Sequence, residues 1–219
     1  AIIRLVDNLI NNEKEIAGAL LESHTNIKTV CVDLGVRGEY RVRNLRIIGG
    51  KDSFISIHKE NGMKFEADIS KVYFSPRLAT ERERVSSLIG EDEFVLDAFS
   101  GVAPFSISLA KRGCKILALD SNPEAKKWAL TNFTVNKLSK DIYDYYTTKF
   151  EEYDFGNNMF DRIIMNNPTN CLPYLEKALS LLMVGGWIHF YHISHHYSHH
   201  ISSQNSHYIS HINPHINSH

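Results

Sequence analysis

Through LVDNLINNEKEIAGALLESH, Leu5, Leu9, Ile16, Leu20 and Leu21 return at roughly helical spacing among polar residues, which predicts a helix. The chain opens as AIIRLVDNLI, inside that pattern and without an initiator Met, so a piece of a longer chain is expected. IKTVCVDLG and YRVRNLRIIGG then read as strands. In SFISIHKENGMKFEADIS, Asn61 and Gly62 separate two alternating runs, a strong hairpin signal. Together these predict a small α+β unit, one sheet with one helix, ending near Ile69.

From Leu78 helix and strand alternate. LATERERVSSLIG reads as a helix stopped at Gly90, FVLDAF as a short apolar strand, PFSISLAKRG as a helix closed by Gly113, and KILALD as a second strand. NPEAKKWALTNFTVNK follows as a helix with Pro123 in its first turn, where a missing N–H costs nothing. DIYDYY, the strand FDRIIMNN, the helix LPYLEKALSLLM and the strand GGWIHFYHI complete the series. Strand, helix and strand in this order predict an α/β fold with a parallel sheet and right-handed crossovers. Residues 194–219 use almost only His, Ser, Ile, Asn and Tyr without periodicity, and are expected to lack regular structure. For these histidines a solvated tail or repetitive coding artefact outweighs metal binding. The expected organisation is 1–69, 70–193 and a low-complexity tail, 194–219.

Composition adds limits. A chain of 219 residues, 43% hydrophobic and 22% charged, can bury a core, and a net charge of −1 means that any nucleic-acid partner is held by a local patch. Cys31, Cys114 and Cys171 are scattered and odd in number, which argues against a disulfide framework or a zinc site and for a reducing, cytosol-like compartment. No run approaches the roughly 18 apolar residues of a membrane span, and no basic-then-apolar leader opens the sequence.

VLDAFSGVAPFSISLAKRG places Asp97 at the end of the first parallel strand, then Gly101, then a helix, in the crevice where open α/β sheets bind ligands. The second strand ends in Asp120, placed to accept hydrogen bonds from ribose hydroxyls. There is no G-x-G-x-x-G, since Ala103 and Pro104 follow Gly101, and a loop with fewer glycines suits a cofactor without a pyrophosphate. An acid, a glycine and a second acid ending the next strand form the S-adenosylmethionine pattern of Rossmann-like methyltransferases. Asn166, Asn167 and Pro168 end a later strand. An amide there can hold a planar nitrogen heterocycle, or the group can be a strand-ending Asx turn. The crowded charges of SKVYFSPRLATERER, taken alone, read as a solvated helix start.

With GEYRVRNLRIIGG, SKVYFSPRLATERER, DAFSGVAPFSI, LDSNP and IIMNNP in this order, the chain resembles the archaeal and eukaryotic type of tRNA (guanine-37-N1)-methyltransferase and its wybutosine-synthesis relatives, from about Ile27 to Ile193. The resemblance implies a Rossmann-like class I S-adenosylmethionine-dependent methyltransferase domain preceded by a small α+β RNA-binding-type domain, with tRNA as partner and a monomer favoured. It implies a catalytic arginine at Arg41, a general base at Glu81 and a substrate-contacting Asn166, with Pro168 beside it. Cofactor contacts fall on Asp97, on the loop Phe99, Gly101, Val102 and Pro104, on Asp120 and Asn122, and on Asn166 and Pro168. Tyr73, Arg77, Arg82 and Arg43 are implied to touch RNA, with Arg46, Lys64, Lys71 and Arg84 along its backbone.

Two rival functions accompany it: a wybutosine-pathway aminocarboxypropyl- or methyltransferase, and a catalytically inactive RNA-binding homologue. The chain departs from the family's pattern at Ala103, where a glycine is usual, and at NNP for N-L-P. YYTTKFEEY lacks the acid that approaches adenine, leaving Thr147, Thr148 or Glu151. The family's extra N-terminal domain is expected to be missing, and the tail has no apolar runs to supply the family's last helix and two strands.

Overall fold

The structure, a computed structural model, describes residues 1–40, 42–90, 92–194 and 206–212. The N-terminal part is a three-stranded sheet of β1 (Ile2–Ile3), β2 (Thr29–Arg37) and β3 (Val42–Gly50), in that order, with α1 (Glu13–Ser23) packed on it. The helix expected from Leu5 is shorter than its pattern. Ile2–Ile3 pairs parallel with β2, and Asp7–Asn12 is a 3₁₀ turn without a buried residue. Only Ala17 of α1 is fully buried, and it lies so close to β3 that a Cβ on Gly49 would sit 2.8 Å from its own.

The hairpin forms as predicted, β4 (Ile55–Glu60) and β5 (Met63–Asp68), with Asn61 and Gly62 both at positive φ. It is a separate two-stranded sheet, which corrects the expected single N-terminal sheet. Two facts explain its position. Met63 and Phe65 are buried in the core of the following α/β unit. The free edge of β5 meets α4 (Pro123–Val135). Asn132 on that helix accepts the Glu66 amide at 2.7 Å and donates to the Glu66 carbonyl at 3.1 Å. Asn136, one turn on, does the same for Lys64, at 3.0 and 2.7 Å. Two side-chain amides thus do the work of a third strand for the peptide groups of Lys64 and Glu66.

The α/β unit contains α2 (Ala79–Ser87), β6 (Phe94–Asp97), α3 (Pro104–Ala110), β7 (Lys115–Asp120), α4, β8 (Tyr143–Thr147), β9 (Phe160–Met165), α5 (Leu175–Ser180) and β10 (Leu182–Ser194). Its sheet runs β11-β10-β9-β6-β7-β8, parallel except for β11 (Ser206–Ile212). The period of two along each strand separates two cores. Val95, Ile116, Ala118 and Ile164 face α2, α3, α4 and the hairpin; Leu96, Leu117, Leu119 and Ile163 face α5 and the aromatic segment around Phe150 and Phe155. The tail, expected without regular structure, supplies β11, which pairs antiparallel along β10 from Ile188–Ile212 to Ser194–Ser206. Its Ile and Tyr residues provide the β-favouring positions that an eye for Leu and Val passes over. The rest of the tail lies outside the described residues. Among the described residues, no helix is long and apolar enough to cross a membrane.

Candidate active site

Strand order reverses at β6 and β9, which lie side by side with β7 and β8 on one flank and β10 and β11 on the other. Ligands of open α/β sheets bind outside the carboxyl ends of the strands at such a point. Asp97 ends β6, Asp120 ends β7 and Asn166 follows β9.

Asp97 is buried. Its Oδ2 accepts the Ser106 hydroxyl at 2.7 Å and the Ser106 amide at 3.2 Å, pinning the first turn of α3 to the strand end. Its Oδ1 makes no hydrogen bond, although the Phe99 amide is near enough to act on the carboxylate. Burial pushes this carboxyl up to about 7; Ser106 pulls against it and the Asp120 charge adds to it. Asp120 is pushed up by burial too, while the amides of Asn122 (2.8 Å) and Gly101 (2.7 Å) draw it back. Each carboxylate oxygen carries two lone-pair sites, so each oxygen of Asp120 keeps one acceptor direction for a neighbouring hydroxyl. The orphaned Oδ1 and these open directions fit a nucleoside cofactor bearing donor groups.

The loop between these acids is held by its own backbone. Tyr145 donates to the Gly101 carbonyl at 2.8 Å, and the Ser100 amide and hydroxyl both reach the Leu119 carbonyl, at 2.8 and 3.0 Å. Ala103 sits at φ +66°, where an L-residue carries about 1–2 kcal/mol of strain and glycine none, so the departure from the family's glycine leaves the loop geometry in place at a local cost. Pro104 opens α3 at a position needing no N–H. Val102 points its side chain into the core, and Asn132 donates to its carbonyl at 3.1 Å, so a ligand meets its backbone at most. Asn122 caps α4, accepting the Glu124 amide at 3.0 Å and donating to the Lys71 carbonyl at 2.9 Å, so its side chain is committed to structure.

Phe99 forms an aromatic wall with Phe150 and Tyr174, each centroid 6.0 Å away. Of Thr147, Thr148 and Glu151, only Glu151 joins that wall, accepting the Tyr174 hydroxyl at 3.1 Å. Burial, then the bond to Glu151, raise the Tyr174 phenol, and the charge of Glu39 in the β2–β3 turn adds to them. Arg41, expected to be catalytic, follows that turn and lies outside the described residues.

Glu81 rises from the first turn of α2 and meets the sheet at β10. Its Oε1 accepts the Tyr191 hydroxyl at 2.7 Å, and Arg84 grips the carboxylate with two hydrogen bonds of 2.7 and 2.8 Å. Register pairs Phe190 with Met165, so Tyr191 stands beside the strand that Asn166 directly follows. Asn166 is half-buried and makes no side-chain hydrogen bond among the described residues. The turn belongs to its neighbour: the Asn167 carbonyl receives the amides of Asn170 and Cys171, at 3.1 and 3.0 Å, and Pro168 sits inside that turn.

The residues expected against RNA divide. Tyr73 is exposed, and its carbonyl is 3.8 Å from where a Cβ on Gly101 would stand; Arg77 is exposed as well. Arg43 is partly exposed and paired with Asp33 at 2.8 Å. Arg82 requires a correction. It is 1% exposed, with two bonds of 2.5 and 2.6 Å to Glu60 and two of 3.3 Å to the Ser75 carbonyl. The charge that read as surface is the centre of a buried ion pair. Arg46, Lys64 and Lys71 also hold carboxylate partners, Glu13, Glu66 and Glu124. Tyr191, Tyr145 and Asn132 were missed, for each reads as an ordinary strand or helix residue until long-range pairing gives it a partner.

A family model, TRM5/TYW2 methyltransferase domain, matches residues 56–207, and a second, TYW2 N-terminal domain, matches residues 1–53. The chain is 42% identical over 192 residues to the tRNA (guanine(37)-N(1))-methyltransferase Trm5b of Pyrococcus abyssi, covering 87% of this chain and 57% of that protein. It is 32% identical over 167 residues to the tRNA(Phe) (4-demethylwyosine(37)-C(7)) aminocarboxypropyltransferase of Pyrococcus horikoshii, covering 75% of this chain and 59% of that one. Among solved structures, the complex of aTrm5 and tRNALeu matches with a TM-score of 0.80 and 37% identity, over 88% of this chain and 57% of that chain. The chain thus spans a little over half the length of these two relatives. With the cofactor crevice at the strand reversal and two family models in register along it, the chain belongs to the TRM5/TYW2 methyltransferase family.

Proposed function

We propose that this chain is an S-adenosylmethionine-dependent methyltransferase acting in the cytoplasm on N1 of guanine 37 in tRNA. The observation that carries the reading is the placement of the Glu81 carboxylate, 2.7 Å from the Tyr191 hydroxyl, beside the strand that Asn166 directly follows. The names of the Pyrococcus abyssi relative and the tRNA-bound neighbour support the substrate.

Asp120 would hold hydroxyl donors of the cofactor, and Asp97, the backbone of the loop from Phe99 to Pro104 and the Phe99 wall would hold the remainder. When bound, the cofactor supplies an electrophilic methyl carbon. The protein's share of the chemistry concerns a proton. Guanine N1 carries one at neutral pH, and Glu81 accepts it, a role worth about 10²–10⁴-fold. Charge then grows on O6, where Arg41 stabilises it, and the amide of Asn166 fixes the ring plane. The N1 edge is hidden in a stack, so the nucleotide is splayed into the cleft before reaction. Tyr73, whose carbonyl lies by Gly101, the exposed Arg77, and Arg43 on the N-terminal sheet would meet the RNA. We place the division between the two units near residue 54, where the family models meet and before the hairpin that shares the α/β core.

A second reading has its own support, because residues 1–53 match a TYW2 N-terminal domain. It assigns transfer of the cofactor's aminocarboxypropyl group to a modified base at the same position. Incubating unmodified tRNA and a 4-demethylwyosine-containing tRNA with labelled cofactor, followed by nucleoside analysis, separates the two. 1-Methylguanosine on the first supports the methyltransferase; an aminocarboxypropyl product confined to the second overturns it. Glu81→Gln is expected to lower the methyl-transfer rate about 10²–10⁴-fold with cofactor affinity kept, and unchanged turnover removes the base assignment.

A further inference from the structure

We infer that Tyr191 is a positioning residue for the candidate base: its hydroxyl fixes the Glu81 carboxylate to the sheet, at a set distance from the amide that receives the substrate base. This inference rests on the methyltransferase reading of the site.

Helix α2 has no strand of its own in the sheet, and a glutamate side chain has three rotatable bonds, so the position of a carboxylate on its first turn is set by what grips it. Arg84 cannot set it relative to the substrate, because Arg84 lies on the same helix three residues on and moves with it. Its side chain is 38% exposed, and the pair is of the kind that any helix surface supports. Tyr191 differs in every respect. It comes 110 residues later, from the interior of β10. It is 5% exposed, its ring packs 5.7 Å from Phe105 at the start of α3, and its carbonyl receives the Cys171 thiol at 3.0 Å. Cys171 in turn is bound through its amide to the Asn167 carbonyl. One chain of contacts therefore runs from the Glu81 carboxylate through Tyr191 and Cys171 to the turn directly after Asn166.

The phenol also has the right chemistry for a holder. Burial and the Glu81 charge both raise its pKa, so it remains a donor across the working pH range. A donor that stays protonated favours the ionised carboxylate before reaction. It can still donate to the neutral acid that forms when Glu81 has taken the N1 proton, so the contact never has to break in a turnover. No proton passes through Tyr191 in this scheme.

The test uses the full chain, a tRNA transcript with guanine at position 37 and saturating cofactor, read under single-turnover conditions. Tyr191→Phe removes one oxygen and keeps the ring. The methyl-transfer rate is expected to fall about 10-fold to 100-fold, with cofactor affinity within about twofold of the starting protein. The acid limb of the rate–pH profile is expected to move to higher pH, since a carboxylate that loses a donor is harder to ionise. In the Glu81→Gln background the same substitution is expected to change the residual rate by less than about twofold. A full repeat of the 10-fold loss there, or an unmoved pH profile in the single variant, overturns the inference. If Tyr191→Phe loses cofactor binding through misfolding, the Glu81→Gln/Tyr191→Phe pair, which removes the charge that faced the lost hydroxyl, is expected to recover it. Failure to recover assigns Tyr191 to packing alone and overturns the inference. Absence of 1-methylguanosine with the unaltered chain overturns the functional reading and this inference together, whereas product with an indifferent Tyr191→Phe overturns this one only.

Discussion

Replacing Glu60 with Gln removes one charge from the most deeply buried ion pair among the described residues. Arg82 is 1% exposed, and its guanidinium faces Glu60 through bonds of 2.5 and 2.6 Å, with only the two 3.3 Å contacts to the Ser75 carbonyl and the rings of Phe74 and Phe105 beyond. Breaking a buried pair from one side costs about 3–5 kcal/mol, because the remaining charge stays uncompensated. The glutamine carbonyl still accepts one of the two bonds, which returns about 1 kcal/mol. A net loss of about 2–4 kcal/mol is expected, against a total stability of about 5–15 kcal/mol for a folded domain. With an m-value near 3 kcal/mol/M, the upper range for small proteins, urea denaturation followed by circular dichroism is expected to show the midpoint about 1 M lower. The double substitution Glu60→Leu/Arg82→Met, which leaves no charge behind, is expected to recover most of that loss. A midpoint within about 0.3 M of the starting protein for Glu60→Gln, or a double variant no more stable than the single one, refutes the structural role given to the pair.

Other consequences are open to measurement. Asn132→Leu deprives the Glu66 amide and carbonyl and the Val102 carbonyl of partners, and is expected to cost about 2–4 kcal/mol, with β5 amides losing hydrogen-exchange protection first. Asp97 has its carboxyl raised to about 7 when folded and near 3.8 when unfolded, so the folded state holds the extra proton between these values and stability falls as pH rises from about 4 to 7. Asp97→Asn is expected to flatten that fall in cofactor-free thermal melts, and an equally steep decline in the variant contradicts the burial argument. Arg77 is exposed; Arg77→Ala is expected to weaken tRNA binding and to reduce the slope of log affinity against log salt by about 1, as read by filter binding at several salt concentrations.

Elements governed by local pattern were legible in the chain. Asn61-Gly62 announced its turn, Pro123 and Pro104 marked helix starts, and the apolar runs of FVLDAF and KILALD became central strands because parallel strands are buried on both faces. Asp97, Asp120 and Asn166 were legible for a related reason: a strand's end is a sequence position, and the crevice lies at strand ends. What stayed hidden depends on partners far along the chain. Arg82 and Arg84 are two residues apart in one charged helix, yet Arg82 meets Glu60 in the interior while Arg84 remains at the rim. The weak apolar pattern of ATERERVSS gives no sign of which side is inner. Tyr191 likewise shows only an alternating strand, and Ile2–Ile3, read as helical, finds its partner in β2.

Asn132 on α4 and Asn136 at its C-terminal cap tie the β4–β5 hairpin to the α/β unit. A fragment beginning at residue 70 would keep Asn132 and Asn136 but lose the backbone they serve, and would leave the Arg82 guanidinium facing an empty place in the interior. A fragment beginning just ahead of Ile55 would carry every one of those partners with it. The hairpin therefore travels with the α/β unit it is bonded to, and exchange of whatever precedes it would leave the loop after β6, through Asn132 and Val102, still tied to its own frame.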